Sequence, residues 1–150
     1  LPSKFEITLA PIVPPTIAIT TNKSALKYGE TALITFTLSE IATDFVLSDI
    51  TVSGGTLSNF SGSGTTYSAT FTPLENSTVA GLVSVGNYKF SDASGNANED
   101  GNEPDNRLAL NIDTDLPKIT ISSSKSIFGL SDTALISFKL SEPLIDFTLS

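Results

Sequence analysis

The chain has 150 residues, with 8 Lys and Arg against 16 Asp and Glu, a formal net charge of −8 and a pI near 4.2. It contains no Cys, His, Met or Trp, which excludes disulfides, cysteine nucleophiles, histidine-based catalytic triads and histidine metal ligands. The acidic balance argues against nucleic-acid and anionic-membrane partners, because both require clustered Lys and Arg. No apolar stretch approaches the roughly 20 residues that cross a bilayer, so membrane insertion is not expected.

Alternation of apolar and polar residues predicts strands along most of the chain. Tyr67 and Phe71, for example, share one face of a run whose other face is Thr and Ser, as in half-buried strands of antiparallel sheets. Segments containing glycine at 54–55, 61–64 and 95–96 mark turns between strands. The predicted strands are A at 16–21, B at 31–39, C at 44–52, D at 56–60, E at 65–72, F at 81–90 and G at 106–113.

The number and spacing of these strands predict the fold class. Seven short strands in about 100 residues are typical of an all-β, two-sheet sandwich of the immunoglobulin type. The antibody hallmark Cys…Trp…Cys is missing. Upstream, Phe5–Leu9 is similar to 108–112 and is interpreted as the last strand of a preceding unit, followed by a proline-stiffened linker. The core is predicted to contain Ile34, Phe36, Leu38, Phe71, Val83, Val85, Leu108, Leu110 and Ile112.

A long internal repeat divides the chain. Residues 15–48 recur at 117–150, 102 positions later and without a gap, and 17 of the 34 aligned positions are identical. A period of this length corresponds to a whole domain rather than to one turn of a solenoid. We therefore expect the end of a preceding unit and a linker at 1–13, a complete Ig-like domain at 14–113, and a linker with the first strands of a truncated following domain at 114–150. Because two or three strands cannot close a core alone, the missing strands are expected from a continuation of the chain or from another chain.

Three segments of the chain, together with the spacing between them, resemble bacterial Ig-like repeats. They are the linker Asp113–Pro117 with the Ile-x-Ile strand after it, the phrase Ile50–Asn59 and the loop Ser91–Asn98. Such repeats build the extender regions of giant, type I-secreted (RTX-type) surface adhesins of Gram-negative bacteria. The resemblance implies a non-catalytic stalk at the bacterial cell surface. It also implies that neighbouring repeats are the partners of each unit and that calcium rigidifies the domain junctions.

One loop concentrates acidic side chains and is a candidate calcium site. Between Lys89 and Arg107 the chain has five acidic residues and no basic one. The candidate ligands are Asp92, Glu99 and Asp100, since calcium takes about six to eight oxygen ligands from carboxylates, amides, carbonyls and water. The spacing is neither that of an EF-hand nor that of an RTX calcium roll. The alternative interpretation is a solvated loop whose carboxylates serve solubility.

The downstream junction is a second candidate calcium site. Loops of a seven-stranded sandwich alternate between its two ends, so the linker is expected at the end that faces the next domain. Carboxylates of both domains would meet there: Asp113, Asp115, Glu30 and Glu75 from the first, and Glu142 and Asp146 from the next. Such a cluster repels itself unless a cation is present. The upstream linker at 10–15 has no aspartate, which puts a calcium site there in doubt. The alternative is a polar hinge in which Asp115 sets a turn.

The leading functional hypothesis is a non-catalytic, extracellular stalk repeat of a bacterial adhesin. A second hypothesis is that the unit itself binds a ligand through the loops at its N-terminal end. A third is an accessory domain of a secreted enzyme. Near-identical neighbouring units would favour the stalk, whereas a loop that differs from those of all neighbours would favour binding.

Overall fold

The computed structural model describes residues 4, 6–9, 11–144 and 146–148. It contains two compact units, Leu1–Thr114 and Asp115–Ser150. The described residues form nine β-strands and two short 3-10 helices, with no α-helix among them. No helix in these ranges is long and apolar enough to cross a membrane.

The first unit is a sandwich of two sheets, which confirms the predicted all-β Ig-like class. One sheet has three strands in the order β1 (Ile17–Thr21), β3 (Ala32–Ala42) and β5 (Gly55–Pro73). The other has four strands in the order β2 (Ala25–Lys27), β7 (Arg107–Asp113), β6 (Gly81–Val85) and β4 (Ile50–Ser53). Neighbouring strands are antiparallel, except that β2 runs parallel to β7.

The predicted strand A at 16–21 corresponds to β1 in the first sheet, and a further strand, β2, follows it in the second sheet. After β1 the chain bends, and Asn22 Oδ1 accepts the Leu33 N–H at 2.8 Å from the first sheet. Ser24 O then accepts the Asn111 N–H at 2.8 Å from the second sheet. The chain therefore changes sheet within three residues and continues as β2. Sequence alternation did not predict β2, because three residues carry too short a pattern.

The predicted strands D and E form one element, the 19-residue β5. Its two halves nevertheless lie side by side, since Asn59 Nδ2 donates to Thr70 Oγ1 at 3.5 Å and Phe60 stacks on Tyr67 at 5.8 Å. A straight strand would separate residues 59 and 70 by about 36 Å, at roughly 3.3 Å per residue. The chain therefore reverses near Gly62, where the glycine-rich turn was predicted.

Strands C and F are shorter than predicted, and both differences involve aromatic residues. Residues 44–49 form a loop and a 3-10 helix, Leu47–Asp49, instead of strand. Phe45 nevertheless points into the core, where its ring lies 5.4 Å from that of Phe90 and 5.1 Å from that of Tyr67. Strand F ends at Val85, and Tyr88 has a φ of +60°. In these two segments the apolar alternation therefore came from two buried rings, Phe45 and Phe90, which lie on loops and not on strands.

The predicted core is confirmed with one correction. Eight of the nine predicted residues are buried, whereas Leu108 is only half-buried because it lies near the start of the last strand of the unit. Of the predicted preceding strand, Phe5 lies outside the described residues, and 6–9 have no strand structure. Residues outside the nine predicted ones complete the core: Leu26, Phe45, Ile50 and Phe90 among others.

The second unit contains one antiparallel pair, β8 (Ile119–Ser123) and β9 (Ile136–Leu140). The division between the units follows Thr114, one residue beyond the predicted domain end at Asp113. The reason is that Thr114 is buried in the first unit, where its hydroxyl donates to Leu74 O at 2.6 Å.

Candidate functional site

The loop between β6 and β7 is organised by one buried side chain, Asn98. It is fully buried, and its Oδ1 accepts the N–H groups of Lys89 at 2.7 Å and Phe90 at 3.3 Å. Its Nδ2 donates to Gly86 O at 2.9 Å and to Asp100 Oδ1 at 3.1 Å. An amide that donates and accepts twice uses its whole hydrogen-bonding capacity. Asn98 therefore holds the middle of this acidic loop against the residues that follow β6.

Asp92 closes a turn within the same loop. Its Oδ1 accepts the N–H groups of Ser94 and Asn96, both at 2.8 Å, and its Oδ2 accepts Asn96 Nδ2 at 2.8 Å. These bonds to the ionised carboxylate, above all that from the Asn96 side chain, lower the pKa of Asp92 below its ordinary value of 3.8. The carboxylate that the sequence offered as a calcium ligand therefore already has three N–H partners.

The lowered pKa of Asp92 predicts an acid-sensitive loop. The stabilisation is present above the unfolded-state value of about 3.8 and is lost as the pH falls through the lower folded-state pKa. In a carbon-detected NMR titration, the Asp92 carboxyl is expected to have its midpoint below 3.8. Asn96→Ala should move that midpoint upward, whereas the exposed variant Asn102→Ala should not. A midpoint at or above 3.8 in the wild type would contradict the assignment.

Two further aspartates connect this loop to other strands. Asp100 Oδ2 accepts the Ile17 N–H at 2.7 Å and so ties the start of β1 to the loop. Asp44 Oδ1 accepts the Ser91 N–H at 2.9 Å and ties the loop after β3 to it. Asp44 is the residue that corresponds to Asp146 in the repeat. Sequence reasoning missed these structural roles because a loop rich in Asp and Asn has the composition of a calcium site, whichever role its side chains have.

The predicted calcium ligands are placed as follows. Asp92 and Asp100 bind N–H groups of the first unit, and Glu99 is exposed. Asp113 is exposed at the end of β7, and the remaining three residues, Asp115, Glu142 and Asp146, belong to the second unit. Across the described residues, no three acidic side chains gather in a group that could hold a metal ion. Calcium binding by these residues stays a prediction.

At the opposite end of the first unit, a small cleft of about 170 Å³ is lined by Glu30, Glu75 and Thr114. Both acidic residues were expected beside the linker, and Thr114 is its first residue. Glu30 is engaged locally, because its carboxylate accepts the Lys27 N–H at 3.0 Å and pairs with Lys23 Nζ at 3.0 Å. These contacts, the Lys27 N–H first, lower the pKa of Glu30. The cleft therefore has two carboxylates where the chain leaves the unit, and that of Glu30 is paired with Lys23.

A larger cleft of about 600 Å³ lies on the outer face of the second sheet. Lys89, Glu103 and Arg107 contribute charged groups to it, and Ser84 contributes a hydroxyl. The cleft therefore combines a hydroxyl with side chains of both charge signs.

The geometry defines an immunoglobulin-like β-sandwich whose conspicuous polar residues hold loops in place. A family model described as a bacterial Ig-like domain matches residues 12–108, from the linker before β1 into β7. The match covers more than half of the chain, which therefore belongs to the bacterial Ig-like domain family. No curated protein and no solved structure matched the chain significantly.

Proposed function

We propose that this chain is a non-catalytic extender segment of a bacterial cell-surface adhesin, built from Ig-like units in series. Bacterial Ig-like domains are typically non-catalytic and commonly occur in extracellular or surface proteins, which supports this proposal. The 102-residue internal repeat supports a series of units, since it gives each unit a neighbour of the same type.

The path of the chain through the first unit is the observation that carries the proposal. The N–H of Ile17 binds Asp100 in the loop that precedes β7, so the chain enters at that end. It then runs through β1 and β2 to Lys27, which lies opposite Asp113 at the end of β7. The strand β7 alone, Arg107–Asp113, spans about 20 Å between the two ends. Entry and exit are therefore at opposite ends, as a segment that adds length requires.

Surface labelling of cells tests the location. An antibody raised against the first unit is expected to label intact bacteria that produce the full protein, because an extender is displayed outside the cell. An antibody against a cytoplasmic protein of the same cells provides the control and should label only after permeabilisation. If the first unit too is labelled only after permeabilisation, the extender proposal is wrong.

We further propose calcium at the junction after the first unit, held by Asp113 and Asp115 with Glu142 and Asp146. All are oxygen ligands of the kind that calcium prefers. An ion that binds only the folded state stabilises it by about 2.7 kcal/mol at a hundredfold excess over its dissociation constant. The melting temperature of the chain is therefore expected to be higher in calcium than in chelator.

The variant with both Asp113→Ala and Asp115→Ala should melt at the same temperature in calcium and in chelator. Glu103→Ala, at an exposed position that is not among the candidate ligands, should keep the full calcium effect. Equal melting of the wild type in calcium and in chelator would rule out the calcium proposal and leave an ordinary polar hinge. Loss of the effect in Asp92→Asn alone would instead move the ion to the loop between β6 and β7.

A further inference from the structure

The cleft of about 600 Å³ on the outer face of the second sheet brings together two cations of the first unit. The basic residues within 14–113 are Lys23, Lys27, Lys89 and Arg107. Lys23 is in an ion pair, whereas Lys89 and Arg107 line the cleft and form no ion pair with any described residue. In a chain with a net charge of −8, two cations in one concave site are a local reversal of the overall charge.

Strand register places two hydroxyl groups in line with Arg107. Ser84 in β6 pairs with Arg107 in β7 on one side and with Thr51 in β4 on the other. All three line the cleft, so two hydroxyls and a guanidinium form one row across three strands. Adjacent strands lie about 4.8 Å apart, and the row therefore spans roughly 10 Å. Thr51 and Arg107 are exposed and Ser84 is half-buried, so all three groups are accessible to a ligand.

Apolar surface lies beside this polar row. Leu82 and Ala109 form the next register pair of β6 and β7, and both line the cleft. Leu82 is half-buried and Ala109 is exposed. Small-molecule sites combine apolar surface with a few placed polar groups. A ring-shaped ligand can therefore lie on this pair of residues while its polar groups meet the row.

The acidic loop provides a fixed wall of the cleft. Asn102 and Glu103 belong to this wall, and the preceding Gly101 donates its N–H to Asn87 Oδ1 at 2.6 Å. A Cβ on Gly101 would collide with the backbone of Asn87, so glycine is required for this close approach. A wall that is in place before the ligand arrives lowers the entropy cost of binding.

The mixture of charges in the cleft selects the class of ligand. Lys89 and Arg107 match an anionic group such as a carboxylate. Glu103 in the same cleft repels anions but accepts hydrogen bonds from hydroxyl groups. A uniformly charged ligand, such as a polyphosphate or an acidic peptide, would place negative charge against Glu103. A sugar ring with one carboxylate and several hydroxyls satisfies both kinds of group, and its C–H face fits the apolar surface.

We infer that this cleft is a binding site for an acidic saccharide of the uronic acid class. Arg107 and Lys89 hold the sugar carboxylate. The hydroxyls of Thr51 and Ser84, together with the carboxylate of Glu103, bond the hydroxyls of the ring. Such binding is additional to the extender role, because a unit that only adds length needs no ligand site.

A titration with a defined oligomer tests the site. The probe is a tetramer of galacturonic acid, added to the full 150-residue chain in the presence of chelator, so that calcium does not bridge the two acidic molecules. The amide NMR signals of Ser84, Arg107 and Ala109 should shift, with a dissociation constant of about 1 mM or lower. Those of Leu33 and Thr35 in β3 of the first sheet should not shift.

Two further ligands separate recognition of the whole sugar from recognition of its parts. The methyl ester of the tetramer keeps the hydroxyls and removes the charge, and it should bind at least about tenfold more weakly. Tetraglutamate keeps four carboxylates without sugar hydroxyls, and its affinity should be lower by a similar factor. Equal binding of the ester would contradict the carboxylate contact. Equal binding of tetraglutamate would assign the cleft to acidic peptides instead.

Two variants of the full chain locate the binding. Arg107→Gln removes one charge from the cleft and should weaken binding of the tetramer at least about tenfold. Lys27→Gln removes the same charge beside Asp113, at the opposite end of β7, and should bind normally. Both positions are exposed, so both variants should melt like the wild type.

Three results would overturn the inference. In the first, no signal of the cleft shifts at about 10 mM tetramer. In the second, Arg107→Gln binds the tetramer as tightly as the wild type does. In the third, Lys27→Gln weakens binding as much as Arg107→Gln, which would mean that the cleft has no special part in the attraction.

Discussion

Phe71→Ala is expected to lower the free energy of unfolding of the first unit by about 3–5 kcal/mol, the usual cost of removing a buried ring. The ring is fully buried in the second half of β5. Gly55 and Gly81 lie directly against it, and a Cβ on Gly81 would lie 2.7 Å from Phe71 Cζ. Because neither glycine has a side chain that could move into the space, we expect part of the cavity to remain open. The loss is a large part of the roughly 5–15 kcal/mol that stabilises a typical domain.

Thermal and urea unfolding measure this effect, and the melting temperature should fall by about 10–20 °C. Leu33→Ala provides the control, since Leu33 lies on the outer face of β3 and is 47% exposed. It pairs with Thr70, the neighbour of Phe71, and should cost less than about 1 kcal/mol. If Phe71→Ala unfolds at the same urea concentration as Leu33→Ala, the ring does not have the central position described.

Asn98→Ala is expected to destabilise the first unit by roughly 3 kcal/mol or more, although it removes no apolar contact. Three backbone groups lose their partner: the N–H groups of Lys89 and Phe90 and the carbonyl of Gly86. The bond to Phe90 is buried and the other two are partly buried, and a buried group left without a partner costs about 1–3 kcal/mol. The side chain of Asp100 loses a donor as well.

A second substitution tests whether residue 98 must donate hydrogen bonds as well as accept them. Asn98→Asp keeps an acceptor for the two N–H groups but replaces the donor toward Asp100 with a carboxylate oxygen. It should therefore also destabilise the unit, and less so at low pH, where carboxyl groups become protonated. Asn102→Ala, at an exposed position in the same loop, is the matched control and should be neutral. If both Asn98 variants unfold at the same urea concentration as the wild type, this residue does not hold the loop.

The sequence predicted the long elements well for a simple reason. Period-2 alternation records which side chains face the core, so Phe36 and Val83 were identified without knowledge of their partners. It was less reliable where a buried ring is placed by a loop. Phe45 and Phe90 match the alternation of strands C and F, but both lie in non-strand segments and meet each other across the core. Alternation identifies the direction of a side chain and not the conformation of the chain that bears it.

The acidic loop shows the limit of composition as a guide to chemistry. Asp92 and Asn98 both belong to the run that was interpreted as a calcium site. In the structure one closes a turn and the other holds the middle of the loop against the residues that follow β6. Carboxylate and amide oxygens accept N–H groups as readily as they bind cations. Which of the two they do depends on the position of the backbone, and a single sequence does not contain that position.

By itself, the sequence determined that the chain is all-β and that its first unit has the pattern of a seven-stranded core. It also showed that residues 117–150 repeat residues 15–48 at an offset of 102 positions. Local alternation and internal identity are properties of the chain, so they can be read along it. The passage of the chain from the first sheet to the second after β1 and the burial of Asn98 and Thr114 were decided only by tertiary structure. Burial depends on what packs from the other sheet, and residues far away in the sequence provide that packing.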